Sequence, residues 1–189
     1  MDVKEAILKR RSIRKYQRKE VSPDLIRELI DAARLAPSGS NAQPGRYYIV
    51  KDKETKERLK ESQIFEQDFV YQAPALIVCC SDIQSYEQGI KGWSEENENR
   101  ALRDLSIASA FLVLRATELG LATCYVGWMK KDRIKDVLDL PRNYMVPFVI
   151  AVGYANEQPK PLPRKSIDEV LLYADGQQKR KFRGLVESI

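Results

Sequence analysis

Residues 95–119 read as one long helix, and from Leu102 onward it is apolar nearly all round: Leu105, Ile107, Ala108, Phe111, Leu112, Val113 and Leu114. A helix of that kind is buried on most sides, so other elements must cover it. Ser106, Ser109 and Ala110 are small and let another helix approach closely. Gly120 follows as a C-terminal cap.

The covering elements are legible on either side. Residues 3–11 read as a short helix, with Val3, Ala6, Ile7 and Arg10 on neighbouring faces. Ser22-Pro23 is a helix start, a hydroxyl cap followed by Pro in the first turn. Leu25, Ile26, Leu29, Ile30 and Ala33 then recur at helical spacing until Pro37 ends the run. Residues 37–45 form a loop on composition. Residues 47–50, 75–80, 123–126 and 146–152 read as strands, and 53–62, 64–72 and 131–138 as helices. The tail from Tyr154 is Pro-rich, then helical over 167–173. Strands and helices mix without a βαβ rhythm, which predicts an α+β layer fold. With no repeat or linker, residues 1–189 are expected to form a single domain.

Composition narrows the chemistry. The 189 residues contain no histidine, which excludes a Ser-His-Asp triad, a Cys-His pair and any His-ligated metal. An enzyme of this composition depends on a cofactor for its reaction, and a flavin suits because its ring both accepts and donates hydride. The three cysteines, Cys79, Cys80 and Cys124, sit in apolar stretches without a C-x-x-C pair and read as buried thiols, so no metal is expected. No apolar run is long enough to span a bilayer, and the start lacks a signal peptide's apolar core, so a cytoplasmic protein without a membrane partner is expected.

Four local patterns carry chemistry. Arg10 and Arg14 are four apart, so on a helix or helix end they share a face, where two guanidiniums can clasp a phosphate with help from Ser12; a solvated basic face is the alternative. Ser38, Ser40, Asn41 and Gln43 offer hydroxyls and amides that can read the polar edge of a planar ring; an ordinary polar turn is the alternative. Residues 123–127 end a strand on Gly127, where a backbone N–H can approach a flat ligand; a strand end or bulge is the alternative. Arg164-Lys165 follow Pro159, Pro161 and Pro163, a stiff segment able to deliver two cations to an anion. Neither G-x-G-x-x-G nor a P-loop occurs. A pI near 9.0 and the basic run at 179–183 are the sole support for nucleic-acid binding, which is not expected.

Together these segments resemble the nitroreductase family of FMN enzymes. Arg10-Arg11-Ser12-Ile13-Arg14-Lys15-Tyr16 resembles its opening motif and Pro37-Ser38-Gly39-Ser40-Asn41-Ala42-Gln43-Pro44 its second. Residues 118–127 resemble the third. Val152-Gly153-Tyr154, Pro163-Arg164-Lys165 and Asp168-Glu169-Val170 resemble the closing segment. Two positions depart from the pattern: Gly45 stands where an aromatic residue is frequent, and Leu162 where a cation is frequent.

The resemblance implies a three-layer fold, a mainly antiparallel sheet flanked by helices, in an intertwined homodimer whose 154–189 extension wraps the partner subunit. It implies FMN bound at the interface. Arg10, Ser12 and Arg14 would hold the phosphate, with Arg11 nearby and Arg164 and Lys165 helping. Pro37, Ser38, Ser40 and Asn41 of the second subunit would line the ring, and Gln67 would touch its pyrimidine edge. Tyr125, Val126 and Gly127 would lie near flavin N5, with the Gly127 backbone N–H closest. The implied reaction is ping-pong hydride transfer from NADH or NADPH to a small electron acceptor: a nitroaromatic, a quinone or an enone. Relatives of the same shape carry out dehalogenation, oxidative dehydrogenation or flavin cleavage, and a flavin-binding protein without turnover is a further alternative. Residues 81–99, with Tyr86 and Trp93, are the candidate lid.

Overall fold

The structure is a computed structural model and describes residues 1–86 and 95–174. The chain divides into two compact units, Met1–Pro159 and Lys160–Ile189.

The first unit is built on four antiparallel strands. These are β1 (Gly45–Val50), β2 (Ala75–Asp82), β3 (Ala122–Val126) and β4 (Tyr144–Gly153), in the order β1-β2-β4-β3. Its helices are α1 (Val3–Lys9), α2 (Pro23–Arg34), α3 (Lys53–Glu61), α4 (Phe69–Gln72), α5 (Glu95–Glu118) and α6 (Lys131–Val137). The strand pleat sends alternate residues to opposite faces. Ala75, Ile77, Cys79, Ile150 and Val152 pack against α2 and α5 through Leu29, Leu105 and Leu112. Leu76, Val78, Cys80, Cys124, Val149 and Ala151 pack on the other face with Leu59, Val70 and Ile134 of α3, α4 and α6. The outcome is the three-layer α+β fold expected.

Local signals set the helix ends. The Ser22 hydroxyl accepts from the Leu25 N–H at 3.3 Å and Pro23 opens α2. Gly120 takes φ +74°, and the Leu121 N–H returns to the Ala116 carbonyl at 2.8 Å, closing α5 as a Schellman cap does. Pro147 lies inside β4, where Cys79 faces Phe148 but Ser81 faces Met145. That bulge carries one extra residue on β4, so the missing proline N–H costs no ladder bond.

Three expectations need correction. Residues 64–68 are not helical: Phe65 forms a β-bridge with Met129, and the Tyr71 hydroxyl bonds both the N–H and the carbonyl of Phe65 at 2.8 Å. Helix α5 is not covered on most sides within one chain, for Leu102, Ile107 and Phe111 stay exposed, Phe111 at 43%. Helix α1 ends at Lys9 rather than at residue 11, because Arg10 leaves the helical conformation with ψ 130°; within it only Ala6 is buried.

The second unit contains α7 (Ile167–Val170), shorter than the helix expected over 167–173. Ser166 and Glu169 form a capping box at its start. Leu162, Ile167, Val170, Leu172 and Tyr173 are exposed. Trp93 and the basic run at 179–183 lie outside the described residues.

Candidate functional site

The segment after α1 is fixed to the sheet by its main chain. Ser12 pairs with Thr123 in a parallel bridge, and the Ile13 N–H donates to the Thr123 carbonyl at 3.0 Å. Tyr16 pairs with Ala155, the Gln17 N–H reaches the Tyr154 carbonyl at 2.9 Å, and the Asn156 N–H reaches the Lys15 carbonyl at 2.9 Å. The segment therefore starts on the free edge of β3 and ends beside the residues that follow β4, with Ile13 buried and Arg14 and Lys15 exposed. Glu157 accepts from the Arg14 and Lys15 N–H groups at 2.5 and 3.1 Å, which occupies those two backbone donors.

The guanidiniums remain. Among the described residues, no carboxylate forms an ion pair with Arg10 or Arg14. Both act on the Cys124 thiol: burial pushes its pKa up, opposed by the Arg14 charge, a hydrogen bond from Ser12 and the Arg10 charge. With the Ser12–Thr123 bridge, that shared effect brings Arg10, Ser12 and Arg14 near Cys124 on β3, but not on a helical face, because α1 ends at Lys9 and residues 11–16 are not helical. Arg11 behaves differently. Its Nη1 donates to the Leu8 and Arg10 carbonyls at 2.6 and 2.7 Å, so it closes the end of α1. Arg10 and Arg11 also line a cleft of 310 Å³ with Thr117, Thr123 and Glu157.

At the end of β3 the residues divide by role. Val126 turns its side chain into the core. Tyr125 is partly exposed, donates to the Ser109 hydroxyl at 2.8 Å and meets Phe148 edge-on at 5.3 Å. A Cβ placed on Gly127 would meet nothing within 4 Å, so the backbone there opens onto free space. Trp128 follows, 75% exposed. Gln67 is exposed two residues beyond Phe65, whose bridge to Met129 brings this turn to the β3–α6 connection.

The 37–45 loop is a separate construction. A 3-10 turn, Gly39–Asn41, occupies its centre. Ser40, Asn41 and Gln43 hold φ of 51°, 54° and 46°, a left-handed conformation costing about 1 kcal/mol for each non-glycine residue. The Ser38 hydroxyl accepts from the Gln43 N–H at 2.9 Å, and Pro37, Ser40 and Asn41 face solvent. With Arg34, Arg46, Tyr47 and Asp104, residues 37, 38 and 42–45 line a cleft of 380 Å³ that shares no residue with the Arg10 cleft. One chain thus holds the two halves apart. Arg164 and Lys165 belong to the second unit; both are exposed, and Arg164 donates to the Pro163 carbonyl at 3.4 Å.

Two contributors escaped the sequence reading. Asp104 is only 3% exposed and accepts from the Gly39 N–H at 2.7 Å, the Tyr86 hydroxyl at 2.5 Å and Arg103 Nε at 2.8 Å. A lone carboxylate among Ala101, Leu105 and Ala108 was its only sequence signal. Glu157 had none.

Two free guanidiniums and a hydroxyl suit a phosphate dianion, and an open strand end suits a flat ring, so these residues fit FMN. The three cysteines are free and buried, and burial pushes the Cys80 thiol up to about 12, leaving it inert. Among the described residues no group of acidic or cysteine side chains could hold a metal ion, and no helix is long and apolar enough to cross a membrane.

Comparison with known proteins points the same way. The nitroreductase family model matches residues 7–64 and 61–154. A protein of Methanothermobacter thermautotrophicus, described as an NADH dehydrogenase/NAD(P)H nitroreductase, is 37% identical over 84% of this chain and 80% of its own. The NADH dehydrogenase of Thermus thermophilus is 30% identical over 92% of this chain and 96% of its own. The FMN reductase (NADPH) of Bacillus subtilis is 26% identical over 86% and 71%. The crystal structure of a nitroreductase family protein from Clostridium difficile superposes with a TM-score of 0.77, at 30% identity, over 92% of this chain and 99% of that one. With a family match from residue 7 to 154 and relatives aligned over most of their length, this chain belongs to the nitroreductase family.

Proposed function

We propose that this chain is an FMN-dependent oxidoreductase that carries hydride from NADH or NADPH to a small oxidised acceptor, a nitroaromatic, quinone or enone, in a ping-pong cycle. The observation that carries the reading is the pair of guanidiniums, Arg10 and Arg14, without an ion-pair partner among the described residues and beside the strand that ends at Gly127. The names of relatives, NADH dehydrogenase and FMN reductase (NADPH) among them, support it.

FMN, when bound, supplies the centre that accepts and returns the hydride. The chain's own residues bind and orient. Arg10 and Arg14 would hold the phosphate in charge-assisted hydrogen bonds, Ser12 would add its hydroxyl, and Arg164 and Lys165 are further proposed phosphate ligands. Arg11 fixes the end of α1, next to Arg10. Tyr125, Val126 and Gly127 would contact the ring, with the Gly127 N–H as the proposed donor near flavin N5, and Gln67 would serve the pyrimidine edge. The absence of histidine fits a site in which no side-chain acid or base is required.

The complete site needs two copies. Pro37, Ser38, Ser40 and Asn41 of one copy line the ring held by the other. The exposed Leu102, Ile107 and Phe111 of α5 offer an apolar face on which the copies would meet, and the C-terminal extension is proposed to belong to the same interface. Residues 1–189 act as one functional domain, in the cytoplasm where reduced nicotinamides are held.

The test is the absorption spectrum of the purified protein, then anaerobic stopped-flow mixing with NADH and with NADPH. Bound flavin that bleaches with at least one donor and recovers with an acceptor is the expected result. Failure to bleach with either donor ends the reading.

A further inference from the structure

We propose that Asp104 is the positioning residue of the flavin-lining loop: from inside α5 its carboxylate sets the place of Ser38, Ser40 and Asn41. The inference rests on the FMN reading above. It starts from a carboxylate where an apolar residue would serve the core better, since Ala101, Leu105 and Ala108 around it are all buried. A buried charge persists only when donors surround it. Here the donors come from three segments: Gly39 of the loop, Tyr86 of the turn after β2, and Arg103 of α5 itself.

The Gly39 bond has a particular role. The first N–H of a helical turn has no partner inside the turn, and a side chain just before it ordinarily supplies one. Ser38 stands at that position and makes no such bond; its hydroxyl accepts from Gln43 instead. Asp104 takes over the capping from another helix. It thereby ties the start of the loop to the core, while Ser38 ties the start to the end. Between these two bonds lie the left-handed Ser40 and Asn41, a conformation that persists only when the surroundings over-determine it. Space adds a second constraint: a Cβ on Gly39 would lie 3.0 Å from Arg103 Nη2 and 3.5 Å from Asp104 Oδ2.

Asp104→Asn tests the assignment, because a carboxamide cannot accept from Gly39, Tyr86 and Arg103 at once without turning its NH2 toward one of them. Two readouts are taken: FMN affinity by fluorescence titration, and amide hydrogen exchange of the flavin-free protein. The expected result is FMN binding about tenfold weaker, with faster exchange at residues 39–43 and unchanged protection in β2 and β4. Tyr86→Phe, which removes one donor and leaves the Gly39 bond, should weaken FMN by about two- to threefold and covers the case in which Asp104→Asn does not fold. Arg10→Ala should weaken FMN without changing exchange at 39–43. Wild-type affinity and wild-type loop exchange in Asp104→Asn would overturn the proposal. So would loss of protection throughout the sheet in Tyr86→Phe, because that marks a general structural role. If the wild-type protein takes up no FMN, the functional reading fails, while exchange in the flavin-free protein still decides whether Asp104 holds the loop.

Discussion

The 10–16 segment and the 37–44 loop are both polar, and both belong to the candidate site, yet they are held in opposite ways. The first is fixed mainly by main-chain bonds to Thr123, Tyr154 and Ala155, with Glu157 adding to the backbone N–H groups of Arg14 and Lys15, which leaves the Arg10 and Arg14 guanidiniums free for an anion. The second has a main-chain bond to the sheet at its end, from Asp82 N–H to the Pro44 carbonyl, but its start is tied by two side chains, Asp104 and Ser38, and its backbone is left-handed at three non-glycine positions. Where the backbone does the holding, side chains can change without loss of the fold. Where side chains do the holding, one substitution changes the shape of the loop.

The strongest test of that contrast is Arg10→Ala with Arg14→Ala. Each lost charge-assisted bond is worth about 1.5–3 kcal/mol, so FMN affinity should fall by about a hundredfold or more. Melting of the flavin-free protein should stay within about 1 °C of wild type, as for surface substitutions elsewhere. A large drop in melting temperature would show that these arginines also hold the segment.

The backbone anchor is broken elsewhere, at Gly153. A Cβ there would lie 2.6 Å from Pro74 Cδ and 2.8 Å from Tyr16 Cδ1. Gly153→Ala should cost about 1–3 kcal/mol, as overpacking does, and calorimetry should show melting lowered by several degrees. FMN affinity should fall along with it, because Tyr16 ends the segment that carries the arginines.

Acid separates the regions next. Burial works against the charged form of Asp104, and the donors Arg103, Tyr86 and Gly39 outweigh it, leaving its carboxyl below the ordinary range. A depressed folded pKa gives stabilisation that is complete above the unfolded value, about 4, and is lost as pH falls through the folded value. Arg103 stays charged and Tyr86 stays neutral over that range, burial raising the Tyr86 pKa. Exchange protection at Gly39 should therefore hold down to about pH 4 and fall below it, and Asp104→Asn should abolish the step.

The smallest effect is a gain. Gln43→Gly relieves one left-handed residue, and after the entropy cost of glycine the net is about 0.5 kcal/mol, or about 1–2 °C in melting. Arg14→Gly should give no gain, because no residue in 10–16 has positive φ.

How much of this could be read from the sequence follows the same division. Features set by neighbours in the chain were legible: the Ser22-Pro23 start, the Gly120 cap and the apolar runs at 75–80 and 146–152 that read as strands. The cluster of Arg10, Ser12 and Arg14 was legible in composition, but its geometry was not: the four-residue spacing was read as a helix face, whereas residues 11–16 leave α1 and bridge to Thr123 and Ala155. Features set by distant contacts were not. Residues 64–68 have a helical composition, but Phe65 is claimed by Met129 and Tyr71. The long helix was read as covered because composition cannot tell an apolar face left exposed, as at Leu102, Ile107 and Phe111, from one packed inside the chain. Asp104 was passed over because a single carboxylate in an apolar stripe has no meaning until Gly39 and Tyr86 arrive beside it.

Trp128 gives the strand end a practical property. Its indole stands one residue past Gly127 with three quarters of its surface in solvent, and the chain contains only two tryptophans. A flavin bound as proposed would settle near it and absorb its emission, so Trp128 offers an optical test of whether the strand end is occupied. Titration can be followed by light, with no label added and no turnover needed.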